Sequence, residues 1–249
     1  MDLGITGRRA AVAAGSAGLG LATARALVGE GVKVAICGRS QERVDSAVGE
    51  LGANAVGIIA DLSGADGAIG FAHAAAEQLG GHLDIVVANS GGPPPGFATT
   101  TTIDAYLEAL HLNFLSTVAL CNEAVGPMRV AGWGRILAIT SVGARQPIGF
   151  LAASSSARAA VTSYIKNLAT EVAGDGVCAN TIQPGTHATD RITKLGSDQL
   201  DSLRADIPAG APGDPANFGQ VAAFLCSEPA QFIVGASIPV DGGATRALQ

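Results

Sequence analysis

The residues Ala10-Ala11-Val12-Ala13-Ala14-Gly15-Ser16-Ala17-Gly18-Leu19-Gly20 decide the fold of this chain. They pass from a short apolar run into a glycine-rich turn and then into an alanine- and leucine-rich segment, which predicts a buried strand, a tight loop and a helix. Small side chains let a loop backbone approach a pyrophosphate, and free N–H groups at the helix N-terminus can bind it. A glycine-rich turn without a ligand is the alternative. We predict cofactor contacts from Gly15, Ser16, Gly18, Leu19 and Gly20.

The same alternation continues along the rest of the chain. Short apolar runs predict strands at 10–14, 32–37, 55–60, 83–88, 135–140, 178–182 and 236–240. Segments with helical spacing separate them at 18–29, 40–50, 65–80, 103–131, 154–174 and 215–227. Most strands are apolar on both faces, as in parallel sheets covered on two sides. We predict an α/β fold, with a single doubly wound Rossmann-type domain over 1–249 and a seven-stranded parallel sheet.

Composition excludes several classes of protein. The chain has 249 residues, of which 48% are hydrophobic and 14% charged, so it is not disordered. Its net charge is −6 and it has no run of Lys or Arg, which argues against nucleic acid as a partner. No apolar stretch is long enough to span a bilayer, and the first residues do not resemble a signal peptide. Four dispersed cysteines predict buried thiols in a cytoplasmic protein and no metal site.

Polar residues at three predicted strand ends suggest how a dinucleotide would bind. Arg39 and Ser40 stand where an acidic residue would hold a ribose 2′-hydroxyl, and an Arg there can pair with a 2′-phosphate. The chain is therefore predicted to prefer NADP(H) over NAD(H), unless Arg39 is a solvated surface cation. The other predicted cofactor contacts at strand ends are Asp61, Leu62, Asn89, Ser90 and Gly91.

Taken together, these motifs resemble the short-chain dehydrogenase/reductase family over nearly the whole chain. Ala14 stands in the place of the first glycine of the family's glycine loop. The further matching stretches are Ala88-Asn89-Ser90-Gly91, Asn113, Ser141, Pro184-Gly185-Thr186-His187-Ala188-Thr189 and the closing Val240 to Gly243. The stretch 89–96 is similar to a branch often labelled 3-oxoacyl-acyl-carrier-protein reductase-like. The resemblance implies cofactor contacts from Pro184, Gly185, His187 and Thr189, catalytic roles for Asn113 and Ser141, and a homo-oligomer, a tetramer or a dimer.

The chain departs from the family at the catalytic pair. Where the family has Tyr-x-x-x-Lys, this sequence has Ser154-Ser155-Ser156-Ala157-Arg158. A serine hydroxyl is shorter than a phenol and a much poorer acid, so it does not replace the tyrosine as proton donor. Arg158 keeps a positive charge and can hold ribose hydroxyls, but its pKa is too high for it to relay protons. Tyr106 and Tyr164 lie elsewhere on the predicted helices.

Three groups are candidates for the missing proton donor or for the substrate's polar end. His187 could donate a proton near neutral pH, although a loop His without a role is the alternative. Arg145 could polarise a carbonyl or hold an acidic group, and a water near Ser141 and Ser154 is a third source of protons. The predicted substrate pocket comprises 91–97, 142–150 and a lid at 186–213, with Arg145, Gln146 and Phe150 as substrate contacts and Pro93–Pro95, Phe97, Pro147, Ile192 and Leu195 as further lining.

Three functions follow from these features. The first is an NADP(H)-dependent oxidoreductase that acts on a carbonyl or a secondary alcohol with an atypical proton donor. The second is a non-redox enzyme, a lyase or isomerase, on the same fold. The third is a nucleotide-binding pseudoenzyme, because the glycine loop is intact beside an altered catalytic pair.

Overall fold

The computed structural model describes residues 1–194 and 196–247, without the side chain of Arg191. Within them the chain alternates strands and helices in the following order: β1 (Arg9–Val12), α1 (Gly18–Gly29), β2 (Lys33–Gly38), α2 (Gln41–Leu51), β3 (Ala55–Ile59), α3 (Ala65–Gln78), β4 (Ile85–Ala88), α4 (Ile103–Ala109), a π-helical turn (Leu110–Leu115), α5 (Ser116–Ala131), β5 (Gly134–Ile139), a 3₁₀ turn (Val142–Ala144), α6 (Ala152–Val172), a 3₁₀ turn (Ala173–Asp175), β6 (Val177–Pro184), α7 (Asp190–Thr193), α8 (Ser197–Ala205), α9 (Pro215–Leu225) and β7 (Ser237–Val240).

The seven strands form one parallel sheet in the order β3-β2-β1-β4-β5-β6-β7. β1 pairs with β2 on one side, where Ala10 faces Val34, and with β4 on the other, where Ala10 faces Ile85. The direction of the winding therefore reverses between β1 and β4. In such sheets the ligand binds at this reversal, beyond the carboxyl ends of the strands. The predicted fold class, a doubly wound Rossmann-type sheet of seven strands, is confirmed.

Two apolar layers cover the sheet. On one face, α1, α2 and α9 pack Leu27, Leu51 and Phe218 against the strands. On the other face, α3, α5 and α6 pack Phe71 and Met128 in the same way. Burying both faces is what the near-continuous apolar strands of the sequence require. In the part of the chain that the structure describes, none of the helices has the length and the apolar character needed to cross a membrane.

Most predicted boundaries lie within a few residues of those observed, and two larger differences concern the first strand and the helix predicted over 103–131. The first strand ends at Val12 rather than at residue 14, because Ala14 has φ +46° and leaves the extended conformation. The predicted helix 103–131 is divided into α4, the π-helical turn and α5. π-helical turns occur frequently at functional sites, and this one contains the buried Asn113.

Candidate active site

A cleft of about 2380 Å³ opens along the carboxyl ends of the strands. It is much larger than the pocket of a typical small ligand, so it has room for a dinucleotide together with a substrate. Most of the predicted site residues line it: Ser16, Gly18, Leu19, Arg39, Ser40, Asp61, Leu62, Asn89, Ser90, Gly91, Ser141, Gln146, Phe150, Ser154, Arg158, Pro184, Gly185, His187 and Thr189. Gly15, Gly20, Asn113 and Arg145 are not among the described residues that line it.

The glycine loop presents bare backbone to this cleft. α1 begins at Gly18, and no side chain caps its first N–H groups. A Cβ at Gly20 would lie 2.5 Å from the Ala14 carbonyl oxygen and 2.8 Å from Asn89 Nδ2, so only glycine fits there. Uncapped N–H groups together with the positive end of the helix dipole favour an anion. The loop therefore fits the pyrophosphate of a dinucleotide.

Two arginine side chains line the cleft near the end of β2. Arg39 and Ser40 are exposed at the cleft, and the Ser40 hydroxyl accepts a hydrogen bond from the Arg43 backbone N–H, which caps α2. Arg43 also lines the cleft, and the sequence analysis did not single it out. Its position in the first turn of α2, three residues after the N-cap Ser40, was the sequence feature that could have identified it. Two guanidinium groups at one helix N-terminus fit a phosphate ester.

Asn113 joins the π-helical turn to the loop after β4. Its Nδ2 donates to Ser90 Oγ at 2.7 Å and to the Gly91 carbonyl at 3.0 Å. Asn113 is only 2% exposed, so these two bonds fix the loop that crosses the middle of the cleft. Within the described chain its Oδ1 is buried and has no hydrogen-bond partner. Asn113 therefore positions the loop after β4, although it is not among the described residues that line the cleft.

Arg158 connects Ser154 to the end of β5, directly before Ser141. Ser141 Oγ accepts from the Gly143 N–H at 2.9 Å, and Ser154 Oγ accepts from Arg158 Nε at 3.3 Å. Arg158 Nη1 donates to the carbonyls of Ile139 and Thr140, both at 3.0 Å. The guanidinium is thus tied to the segment that leads into Ser141. The spacing of four residues on α6 places Arg158 one turn beyond Ser154.

His187 lies in the cleft but is only 5% exposed. Its Nδ1 is 3.2 Å from the Gly185 carbonyl oxygen, and its ring packs edge-on against Phe218 with the ring centres 5.1 Å apart. Burial lowers the pKa of His187, and the bond to Gly185 opposes this only in part. A neutral imidazole whose N–H is held by a carbonyl is a poor acid near pH 7.

The structure turns Arg145 away from the cleft. Its Nη2 donates to the Ser237 carbonyl on β7 at 3.2 Å. Tyr164 does not approach Ser154 either, since its hydroxyl lies 3.3 Å from Asn122 Oδ1 and its ring packs edge-on against Phe114. Among the described residues, neither Arg145 nor Tyr164 lines the cleft.

The four cysteines are buried within the fold. Cys37, Cys121, Cys178 and Cys226 are buried, and burial raises the pKa of Cys37, Cys121 and Cys226 to about 12. Such thiols are inert. Among residues 1–194 and 196–247 there is no group of three His, Cys, Asp or Glu that could hold a metal ion.

The end of the cleft that is predicted to bind substrate is more polar than expected. Apolar lining comes from Ile148, Phe150, Leu151, Ile192, Leu203 and Ile207, and polar lining from Glu108, His111, Gln146, Lys194, Asp198 and Arg246. Arg246 belongs to the C-terminal tail, and the backbone N–H of Arg246 donates to Gln146 Oε1 at 3.0 Å. The sequence analysis missed this tail because no local pattern shows where it returns. Phe97 is not among the lining residues, and Leu195 lies outside the described residues.

The predicted lid follows β6 and carries α7 and α8. Its two ends are joined, since the Ala188 N–H donates to the Gly213 carbonyl at 2.8 Å and the Gly213 N–H donates to the Thr186 carbonyl at 3.0 Å. The described parts of 186–213 line the cleft through residues such as Thr189, Ile192 and Asp198. No residue of α8 is buried, so this helix has few contacts to hold it in one position.

Comparison with known proteins agrees with this geometry. A sequence profile described as Enoyl-(Acyl carrier protein) reductase matches residues 13–245. The chain is 34% identical to the "Inactive 2-(S)-hydroxypropyl-CoM dehydrogenase 2" of Xanthobacter autotrophicus, over 89% of this chain and 99% of that one. It is 29% identical to the 3-oxoacyl-[acyl-carrier-protein] reductase FabG of Vibrio cholerae, over 97% and 98%.

Among solved structures, L-sorbose reductase from Gluconobacter frateurii, complexed with NADPH and L-sorbose, superposes with a TM-score of 0.93. It is 28% identical, and the match covers 100% of both chains. The profile, the relatives and the shared fold all extend over nearly the entire sequence. The chain therefore belongs to the short-chain dehydrogenase/reductase family of oxidoreductases.

Proposed function

We propose that this protein is an NADP(H)-dependent oxidoreductase that interconverts a carbonyl compound and a secondary alcohol. The observation that carries the proposal is the uncapped N-terminus of α1, which faces the same cleft as Arg39 and Arg43. The first feature suits a pyrophosphate and the second suits a 2′-phosphate. The L-sorbose reductase complex with NADPH supports the choice of cofactor.

The cofactor would be held along the whole cleft. The proposed contacts are Gly15, Ser16, Gly18, Leu19, Gly20, Arg39, Ser40, Asp61, Leu62, Asn89, Ser90, Gly91, Arg158, Pro184, Gly185, His187 and Thr189. A Cβ at Gly18 would lie 3.8 Å from Thr189 Cγ2, so the glycine loop and the segment after β6 flank the same space. When bound, NADP(H) supplies or accepts a hydride.

The chain's own residues then orient and polarise the substrate. Ser141 offers its hydroxyl to the substrate oxygen, and Arg158 holds a positive charge near it at every pH of interest. Asn113 keeps Ser90 and Gly91 in place behind the cofactor. Because Ser154 is too weak an acid, the proton of an alcohol product comes from water in the open cleft.

Calorimetric titration with NADPH and NADH tests the proposal. We expect the wild-type protein to bind NADPH more tightly than NADH. Arg39→Ala should weaken the binding of NADPH by about 10–100-fold, which corresponds to the loss of a charge-assisted hydrogen bond, and should change the binding of NADH little. Arg129→Ala is the matched control, because Arg129 is an exposed arginine paired with Asp175 outside the cleft. Absence of binding by either nucleotide would contradict the proposal. A panel of ketones and aldehydes, followed by NADPH absorbance, then identifies the substrate.

A second candidate is a nucleotide-binding protein without turnover. The serine at position 154, where the family has its tyrosine, favours it, as does the relative whose name begins "Inactive". NADPH binding without consumption over the carbonyl panel is the result that would distinguish it from the first.

We also propose that the protein is a cytoplasmic homo-oligomer, a tetramer or a dimer. The four free, buried cysteines suit a reducing compartment. The surface of α4 and the π-helical turn carries three exposed apolar side chains, Ile103, Leu107 and Leu115, which suit a subunit contact. Light scattering that reports a monomer would contradict the oligomer.

A further inference from the structure

Three arginine side chains of the described chain have neither an ion pair nor a hydrogen bond, and all three line the cleft. They are Arg39, Arg43 and Arg246. The other arginines with described side chains donate to a carboxylate or a carbonyl oxygen, and they are Arg8, Arg9, Arg25, Arg129, Arg135, Arg145, Arg158 and Arg204. Arg39 and Arg43 have a proposed phosphate ligand. Arg246 lies at the end predicted to bind substrate and has no assigned ligand.

The backbone that carries Arg246 is held by hydrogen bonds. Asp241 Oδ1 accepts from the Gly243 N–H at 2.9 Å, and its Oδ2 accepts from the Thr245 N–H at 2.8 Å. These bonds fold the C-terminal tail back toward the cleft. The Arg246 N–H then donates to Gln146 Oε1 at 3.0 Å. The position of Arg246 is therefore set by fixed groups on two separate segments of the chain.

The same contact fixes the orientation of the Gln146 amide. A backbone N–H only donates, so the amide oxygen of Gln146 must face the tail. In the part of the chain that the structure describes, Gln146 Nε2 has no hydrogen-bond partner. The main chain of Gln146 is held as well, because its N–H donates to the Val142 carbonyl at 2.9 Å. The polar atoms that the two side chains leave unpaired are thus all N–H donors.

These donors favour an anion with a single charge. The Arg246 guanidinium stays protonated at every pH of interest, and N–H donors with a positive charge bind carboxylates strongly. Two arginines are present at the proposed phosphate site, whereas one arginine and one neutral amide are present here. The acidic lining residues Asp198 and Asp206 form no ion pair with Arg246 in the described chain. Its charge is therefore available to a ligand.

We propose that Arg246 and Gln146 form a subsite for a carboxylate of the substrate that is separate from its reacting carbonyl. The substrates are then oxo acids, and the products are the corresponding hydroxy acids. This inference rests on the proposed function, because it names the class of substrate that the cleft takes. Arg246 acts as a specificity-determining residue.

Matched ligand pairs test the subsite without turnover. The probes are 4-oxopentanoate against 4-oxopentanamide and 5-oxohexanoate against 5-oxohexanamide. They are titrated into the NADP⁺-loaded protein at pH 7.5 and constant ionic strength, with calorimetry as the readout. We expect at least one oxo acid to bind about 5–10-fold more tightly than its amide, and Arg246→Ala to abolish that preference without changing NADP⁺ affinity.

Two further variants separate direct contact from the general effect of charge. Arg204→Ala is the matched control and should preserve the preference, because Arg204 is paired with Asp201 on α8 and is not among the described residues that line the cleft. Gln146→Glu keeps an acceptor for the tail but replaces the amide donor with an anionic oxygen. It should weaken the oxo acids and leave the amides nearly unchanged.

Three results would overturn the inference. They are the lack of a preference for the acid in both pairs, a preference that Arg246→Ala leaves intact, and an equal loss of preference in Arg204→Ala. Failure of all four probes to bind counts as the first of these. The NADP⁺ titration is performed beforehand, so that failure of the cofactor to bind counts against the proposed function instead.

Discussion

The two ends of the cleft differ in the kind of group that they offer to a ligand. At the glycine loop the proposed ligand contacts are backbone N–H groups, whose positions depend on Ala14, Gly18 and Gly20. At the catalytic region they are side chains, Ser141, Ser154 and Arg158, held by carbonyls at the end of β5. The proposed cofactor contacts of the first region therefore depend mainly on backbone conformation. The proposed catalytic contacts of the second region depend on which side chains are present.

The largest test of this difference restores the missing acid. Ser154→Tyr with Arg158→Lys should raise carbonyl reductase kcat/KM by about 10²–10⁴-fold, the contribution of a positioned general acid. The phenol can extend into the cleft that Ser154 lines. NADPH absorbance measures the rate, with Ser154→Tyr alone as the control. If the double variant binds NADPH but gains no activity, the two regions do not form one catalytic unit.

The next test damages the backbone region instead. Gly20→Ala places a Cβ against the Ala14 carbonyl, so we expect NADPH to bind about 10–100-fold more weakly, with a loss of stability of about 1–3 kcal/mol. Gly49→Ala in α2 is the matched control, because a Cβ there meets nothing within 4 Å and should not weaken binding. Calorimetry and thermal unfolding measure both. Equal NADPH affinities of the two variants would contradict the proposal that the glycine loop binds the pyrophosphate.

A smaller effect is expected at Ala14. Its φ of +46° belongs to the left-handed region, where a Cβ is strained. Ala14→Gly should stabilise the protein by about 0.5–1 kcal/mol after the greater chain entropy of glycine is subtracted. Chemical denaturation measures it, and Ala26→Gly inside α1 should have the opposite sign. Destabilisation by Ala14→Gly would show that the loop does not store this strain.

The smallest effect concerns His187. Burial lowers its pKa in the folded protein, so the unfolded chain binds the proton more readily. The stability that this group contributes is present above the unfolded pKa of about 6.5 and is lost as the pH falls below it toward the folded value. The melting temperature of the wild type should therefore fall more steeply between pH 7.5 and 5 than that of His187→Gln. Parallel profiles would argue that His187 is not buried.

The same contrast explains what could be predicted from the sequence. Periodicity and glycine spacing located all seven strands, and the phosphate loop followed from them, because these depend on neighbours along the chain. The position of Arg246 and the contact of Arg145 with Ser237 depend on distant segments that meet only in the folded protein. The π-helical turn was also missed, and its Asn113 bonds to Ser90 and Gly91, which lie more than 20 residues away along the chain.

The backbone pairing of Thr186 and Ala188 with Gly213 has a further consequence. Because the two segments that enter and leave this excursion are hydrogen-bonded to each other, the intervening residues form a cassette that can change in length and sequence without altering the sheet. Exchange of residues 189–212 for the equivalent cassette of another reductase is therefore the most direct route to a different substrate range on this scaffold.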